Sequence, residues 1–245
     1  MKRWLVPAVT AALFVAVASL GANAPIFLLL NQLGPATSDW LWANLTMLGD
    51  GMAAFTLCLP LWRRRPDLLW ALAFLAVLGT LWVHGMKPLM DVARPPAVLG
   101  EQVHIIGRLY KAHSFPSGHA TTAFALAGLI ALGITSRAWS AAVVALASVV
   151  ALSRAVVGVH WPLDILAGAF GGWLCALAAH WLANRTRSLG EREWVQWILG
   201  ALVAACAVAM ALGQPDDYPQ AVYFQRAIGI CCLVAAALRL RRATR

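Results

Sequence analysis

Charge is scarce in this chain. Of its 245 residues, 12% are charged and 61% hydrophobic, and only 10 are acidic. Apolar runs recur from end to end, more than a water-soluble core needs, which places the chain in the polytopic helical membrane class. Strict alternation of apolar and polar residues is absent, and that excludes an outer-membrane β-barrel. Cysteines are also few. Cys58, Cys175, Cys206, Cys231 and Cys232 all fall inside apolar runs, without metal-ligand spacing or a disulfide framework, and read as small buried side chains. There is no internal repeat, no low-complexity tract and no soluble domain. The expected architecture is an all-α polytopic integral membrane bundle, a single membrane domain over residues 1–245.

What the chain does have is eight apolar segments, near 5–33, 47–62, 68–86, 119–136, 138–153, 162–183, 194–213 and 221–238. Seven of them are close to the ~20 residues that cross ~30 Å of hydrocarbon. The first begins like a secretory signal, with Lys2 and Arg3 ahead of an apolar stretch and Ala22-Asn23-Ala24 behind it. The apolar run continues through Ile26 and Leu30, and Pro25 follows the would-be cleavage point. Residues 5–33 are therefore expected to be a retained span with a kink at Pro25.

Eight spans put both termini on one side of the membrane, and the basic residues choose the side. Lys2, Arg3, Arg63, Arg64, Arg65, Arg137, Arg185, Arg187, Arg192, Arg239, Arg241, Arg242 and Arg245 fall on one set of span ends, 13 of the 19 basic residues. By the positive-inside rule these ends and both termini are cytoplasmic. The net charge of +9 thus reports orientation, and nucleic acid is not an expected partner. Trp4, Trp62, Trp161, Trp181 and Trp194 lie at span ends, where an interfacial aromatic belt would put them.

Four connections remain on the outer side. The first, about 34–46, can form a short surface helix. The second, about 87–118, is the longest loop in the chain, and loops of that length in a compact domain usually carry function. The third is the short link 154–161. The fourth, 214–220, reads as a plain acidic turn. On the cytoplasmic side, Asn184 to Glu193 is the expected seam between a core of about 47–183 and an added helix pair of about 194–238.

Three outer strings carry residues that can do chemistry. The link runs Ser153-Arg154-Ala-Val-Val-Gly-Val-His160-Trp161-Pro162-Leu-Asp164. Pro162 opens the next helix and Asp164 falls in its first turn, four residues after His160. A carboxylate bonded to one ring nitrogen fixes the tautomer and leaves the other nitrogen bare, as a nucleophile or base requires. The same residues also fit an aspartate at a favourable helix N-terminus beside an unrelated histidine.

The second string is Phe115-Pro116-Ser117-Gly118-His119. Pro and Gly set a tight turn before a helix whose free N–H groups can face an anion. Ser117 adds a hydroxyl, Gly118 permits close approach, and His119 can donate a proton to a leaving oxygen. An ordinary helix cap with a surface histidine would look the same. The third string runs from Lys87 to Arg94-Pro95. If helical, its spacing of seven puts Lys87 and Arg94 on one face, suited to a dianion. Snorkelling interfacial cations are the plainer alternative.

Span lengths then bring the three strings together. The chain crosses inward after His119, turns near Ser136-Arg137 and returns, so Arg154 and His160 share a membrane face with Ser117, His119, Lys87 and Arg94. Grouped cations, two histidines, a helix N-terminus and a carboxylate suit a tetrahedral phosphate.

In carrying Lys-x6-Arg-Pro (Lys87–Pro95), Pro-Ser-Gly-His (Pro116–His119) and Ser-Arg-x5-His-x3-Asp (Ser153–Asp164) in order, the chain resembles the phosphatidate phosphatase type 2 superfamily. That resemblance implies a six-helix phosphatase core and a metal-independent phosphomonoesterase or pyrophosphatase with no cofactor. It implies that His160 attacks phosphorus to form a phosphohistidine and that Asp164 stabilises the charged imidazole. His119 would protonate the leaving group and then activate water. Lys87, Arg94, Arg154, Ser117 and Gly118 would hold the phosphate oxygens. The two C-terminal spans lie beyond the usual core.

The expected protein is an inner-membrane lipid phosphatase with an outward-facing site, its partners the bilayer and a lipid phosphate. Undecaprenyl diphosphate leads; phosphatidate, phosphatidylglycerol phosphate and lipid A phosphates follow. A lipid phosphotransferase, and a lipid-phosphate binder or transporter without turnover, are the alternatives. Outside the motifs, His113 is close enough to Ser117 to support it, and His104, Arg108 and Lys111 can contact a headgroup or simply be solvated. Gly49, Gly51, Gly168 and Gly172 are expected to permit close helix packing. Asp50, inside the second apolar segment, needs a partner or a place near the interface.

Overall fold

The computed structural model describes residues 3–215 and 217–243, and among them every regular element is helical. Lys2, Arg245 and Asp216 lie outside the described residues, as do the side chains of Arg241 and Arg242. The principal helices are α1 (Leu5–Ser19), α2 (Asn23–Asn31), α3 (Asp39–Met47), α4 (Gly51–Cys58), α5 (Pro66–Met90), α6 (Gly118–Gly133), α7 (Arg137–Val156), α8 (Pro162–Arg185), α9 (Glu193–Leu212) and α10 (Val222–Ala243).

Every expected apolar segment contains helix, but three differ from a straight span. Among the described residues five helices are long and apolar enough to cross a membrane, six if the bent α1/α2 pair counts as one. The bend there is 107°. It falls at Leu20–Ala22, where Gly21 takes φ +61°, and not at Pro25. Pro25 sits in the first turn of α2, where its missing N–H costs nothing. Helix α4 is short because Leu48–Asp50 breaks the second segment, and Asp50 caps α4 by accepting the Met52 N–H at 2.7 Å. That cap is the partner Asp50 needed. Helix α6 has 16 residues, about 24 Å, and Gly118 at its start lies beside Val83, below the Met90 end of α5.

The interior is built on α6 and α8, which run parallel from the same end. They approach closely: a Cβ on Gly168 would meet the Ser117 carbonyl oxygen at 2.6 Å, and one on Gly128 would meet Ala176 Cβ at 2.8 Å. Gly172 lies equally tight against Thr121, and Gly49 against His119, whereas Gly51 has open space beside it and has no packing role. Helices α5, α7 and α1 surround this pair, and buried Trp173 of α8 donates to the Arg3 carbonyl at 2.9 Å. The C-terminal pair α9/α10 packs against α4 and the start of α5, with Trp62 donating to the Gln196 carbonyl at 2.9 Å.

Arg65 donates to the Gly133 carbonyl at the C-terminal end of α6 and to Asp67, and Arg239 donates to the Pro60 carbonyl. These groups lie at the bundle end opposite Lys87, Arg94 and Arg154. Trp4, Trp181 and Trp194 are exposed at span ends. Trp161 is not a belt residue: it is buried against Phe27, with ring centroids 5.2 Å apart, and donates to the Ala93 carbonyl at 2.8 Å. The cysteines also divide. Cys58 and Cys232 are buried, Cys175 and Cys206 are half-buried, and Cys231 is exposed.

Candidate active site

Two helix N-termini make the floor of the site. Ser117 caps α6, its Oγ accepting the Ala120 N–H, and its own N–H donates to the Asp164 carbonyl in the first turn of α8 at 3.0 Å. The starts of two parallel helices are thereby cross-linked, with both positive dipole ends at one place. Asp164 serves α8 as well. Its Oδ2 accepts the Trp161 N–H at 2.8 Å, so the residue does serve the helix start.

The link before α8 folds around one carbonyl. Arg154, still in the last turn of α7, accepts the N–H groups of both Val159 and His160. Gly158 has φ +86° and lies so close to the segment 103–106 that a Cβ would meet the His104 carbonyl oxygen at 2.5 Å. Asn31 of α2 closes the end of α7, donating to the Val156 carbonyl at 2.9 Å and bonding both backbone groups of His104. These contacts leave His160 3% exposed with both ring nitrogens engaged.

His160 Nδ1 is 3.4 Å from Asp164 Oδ2, and Nε2 is 3.4 Å from Arg94 Nη1. A guanidinium can only donate and an ionised carboxylate can only accept, so the fitting tautomer is Nδ1–H with a bare Nε2. Burial, followed by the charges of Arg94, Arg154 and Lys87, holds the ring's pKa well below its usual 6.5, which favours the neutral ring.

Asp164 is 1% exposed and its Oδ2 is crowded. Besides Trp161 and His160 it accepts the Ser114 hydroxyl at 2.5 Å, and Ser114 Oγ is also 3.5 Å from His160 Nδ1. Ser114 carries no signal in the sequence. It precedes the Pro-Ser-Gly-His string by two residues and shows only as a serine in a long loop.

The structure brings the expected cations to the same end by a different route from the one supposed. Helix α5 stops at Met90, with Asp91 in a left-handed conformation, and Arg94 is extended. Lys87 and Arg94 therefore do not share a helix face; the chain reverses between them. Arg94 is tied into the returning loop, its Nε donating to the Ala112 carbonyl at 2.9 Å and its Nη1 to the Val159 carbonyl at 3.2 Å. Its guanidinium lies 4.9 Å from the Tyr110 ring centroid. Arg154 Nη1 donates to Thr46 Oγ1 and Tyr218 OH, each at 2.7 Å. Among the described residues, Lys87, Arg94 and Arg154 form no salt bridge with any carboxylate.

Lys87, Gly118 and His119 line the head of a cavity of about 320 Å³. Further down, Phe55, Leu72, Leu75, Ala125 and Leu126 make its walls apolar, and it runs between α4, α5 and α6 along the membrane-spanning part of the bundle. Asp50 and His84 also line it. Two other histidines lie apart. His113 is exposed and pairs with Asp91 at 3.4 Å, not with Ser117, and His104 pairs with Asp39 at 2.8 Å. The turn at 214–220 is more than an acidic connection, because Tyr218 is buried against Arg154.

Several known proteins are similar to this chain. A crystal structure of LpxE from Aquifex aeolicus matches with a TM-score of 0.59 and 30% identity, covering 64% of this chain and 93% of that one. A lipid A 1-phosphatase of Porphyromonas gingivalis is 41% identical over 108 residues, 40% of this chain and 24% of the relative. An undecaprenyl-diphosphatase of Sulfolobus acidocaldarius is 36% identical over 90 residues, 36% of this chain and 41% of the relative. The chain thus spans well under two thirds of the curated relatives it matches. The family model of the PAP2 superfamily matches residues 67–188, which contain all three motifs. With an all-helical membrane bundle, two linked helix starts and a carboxylate-oriented histidine among three cations, the chain belongs to the PAP2 superfamily.

Proposed function

We propose that the protein is a membrane lipid phosphate or diphosphate phosphatase acting through a phosphohistidine. The observation that carries this reading is buried His160, with Nδ1 3.4 Å from Asp164 Oδ2 and Nε2 3.4 Å from Arg94 Nη1. Nε2 attacks phosphorus as the bond to the lipid or diphosphate oxygen breaks, and that oxygen takes a proton from His119. The positive charge left on the imidazole is stabilised by Asp164. Water, deprotonated by His119, then attacks the phosphohistidine and releases phosphate. Arg94, Arg154 and Lys87, with Ser117 and the Gly118 N–H, stabilise charge on the equatorial oxygens.

The cavity beneath Lys87 and His119 supports a lipid substrate, since its apolar walls suit a chain and its head suits a phosphate. Undecaprenyl diphosphate is the leading substrate, and lipid A phosphates, phosphatidylglycerol phosphate and phosphatidate are the alternatives. The bias of basic residues supports cytoplasmic termini and a site on the periplasmic or outer face of the inner (plasma) membrane.

The test is phosphate release from this lipid panel in detergent, with and without EDTA. We expect release to persist in EDTA, and His160→Ala to lose at least about 1,000-fold in kcat. Full activity in that variant, or loss in EDTA restored by a divalent ion, would overturn the mechanism. Binding of lipid phosphate without release would mark a binder instead.

A further inference from the structure

The family match ends at residue 188, yet the site does not. The turn between α9 and α10 reaches across the outer end of the bundle, touching Arg154 directly and reaching Arg94 through Tyr110. Tyr218 accepts from Arg154 Nη1 at 2.7 Å and is 4% exposed. Its neighbour Asp217 accepts the Tyr110 hydroxyl at 2.5 Å, and the Tyr110 ring lies under Arg94. The Asp217 carbonyl also accepts the Arg108 N–H at 3.0 Å. Gly107 lies so close to this turn that any side chain there would collide with Asp217 and Tyr218. Tyr218 further shares an apolar cluster with Ile106, Val157 and Val159, so the turn packs on both loops that carry the site.

The chemistry of these partners is selective. A carboxylate beside Arg154 would orient it and also neutralise it. Hydroxyls of Thr46 and Tyr218 orient it and leave its charge for an anion. Arg94 is treated alike: it sits on an aromatic face and on carbonyl oxygens, while the acid, Asp217, is one residue removed behind Tyr110. Arg154 Nε is buried with no partner among the described residues, consistent with a guanidinium held ready for a ligand.

We propose that the C-terminal helix pair is a working part of the site, in which Tyr218 positions Arg154 and Asp217, through Tyr110, positions Arg94. This rests on the phosphatase reading only in assigning those arginines to phosphate. Tyr218 and Asp217 are positioning residues, and neither is proposed to touch the reacting atoms.

The test is a cycle of four proteins: wild type, Tyr218→Phe, Arg154→Met and the double variant. Each is measured for phosphate release and for inorganic phosphate affinity, the latter by the shift of the melting temperature with phosphate concentration. A lost hydrogen bond to a charged group should cost Tyr218→Phe about tenfold in kcat/KM and in phosphate affinity. In the Arg154→Met background the same change should cost less than about twofold, because its partner is gone. Tyr223→Phe, on the exposed start of α10, should change neither.

Equal cost in both backgrounds, or no cost in either, overturns the proposal. If wild type binds phosphate but releases none, the phosphatase reading fails and the affinity cycle still decides this one. If wild type releases phosphate without measurable binding, the kcat/KM cycle decides; if it does neither, both fail. Should Tyr218→Phe not fold, Asp217→Asn decides: we expect about threefold in phosphate affinity, and no added cost once Tyr110 is Phe. An undiminished cost in the Tyr110→Phe protein overturns the proposal.

Discussion

The two walls of the site are built on opposite plans. One wall, made of Arg94, Arg154, His160 and Asp164, is at most 7% exposed, and every one of these side chains is bonded before any substrate arrives. The other, made of Lys87, Gly118 and His119, is half-buried and faces the cavity. In the proposed mechanism the closed wall holds the attacking histidine and two of the three phosphate-binding cations. The open wall holds the third cation, Lys87, the Gly118 N–H and the group assigned to the leaving oxygen, whose attached lipid varies in bulk. Preorganisation is thus concentrated where the reacting geometry is constant, and access is left where the substrate differs.

That contrast can be broken in graded ways. The largest effect is expected from Asp164→Asn, which keeps the shape but supplies an amide where an ionised acceptor stood. We expect kcat to fall about 1,000-fold with KM little changed, since the loss is in the transition state. His119→Ala should cost about 100-fold on an alkyl phosphate. It should cost much less on an aryl phosphate, whose leaving oxygen needs no proton. Equal losses on both substrates would remove His119 from the leaving-group role and merge the two walls.

A smaller effect is expected from Ser114→Ala. It removes one of three donors to Asp164 Oδ2 and should lower kcat about tenfold, with a stability loss of about 1 kcal/mol read from denaturant or thermal melts. The smallest effect is one of pH. Because burial and neighbouring cations lower the His160 pKa in the folded protein, its ring should stay neutral through pH 6.5 and take a proton only at more acidic values. Ring titration by NMR would show this, and Arg94→Gln should move the midpoint upward, since an adjacent positive charge has been removed.

The parts of the site legible in the sequence were those written in short strings with fixed spacing. Pro116-Ser117-Gly118-His119 announces a helix start, and His160 with Asp164 announces a carboxylate one turn from an imidazole. Apolar length announced the eight helical segments. It did not show that α4 and α6 are short or that the first segment turns a corner at Gly21, because a break inside an apolar run leaves hydropathy nearly unchanged. Ser114, Thr46, Asp217 and Tyr218 carry no periodic or motif signal. They come from a loop, a surface helix and a distant turn, and only tertiary approach gives them partners. Trp161 was misplaced for a related reason: a tryptophan at a span end reads the same whether it meets lipid or the Ala93 carbonyl.

One consequence of the Asp164 arrangement concerns how the protein would lose function on warming. A single carboxylate oxygen holds the Trp161 amide at the start of α8 and the His160 ring beside it. Fraying of that first turn therefore disarms the histidine at the same moment, while the remainder of the bundle stays intact. Inactivation should then precede global melting, and the hydrogen-exchange rate of the Trp161 amide should track the fraction of molecules that have lost their working geometry.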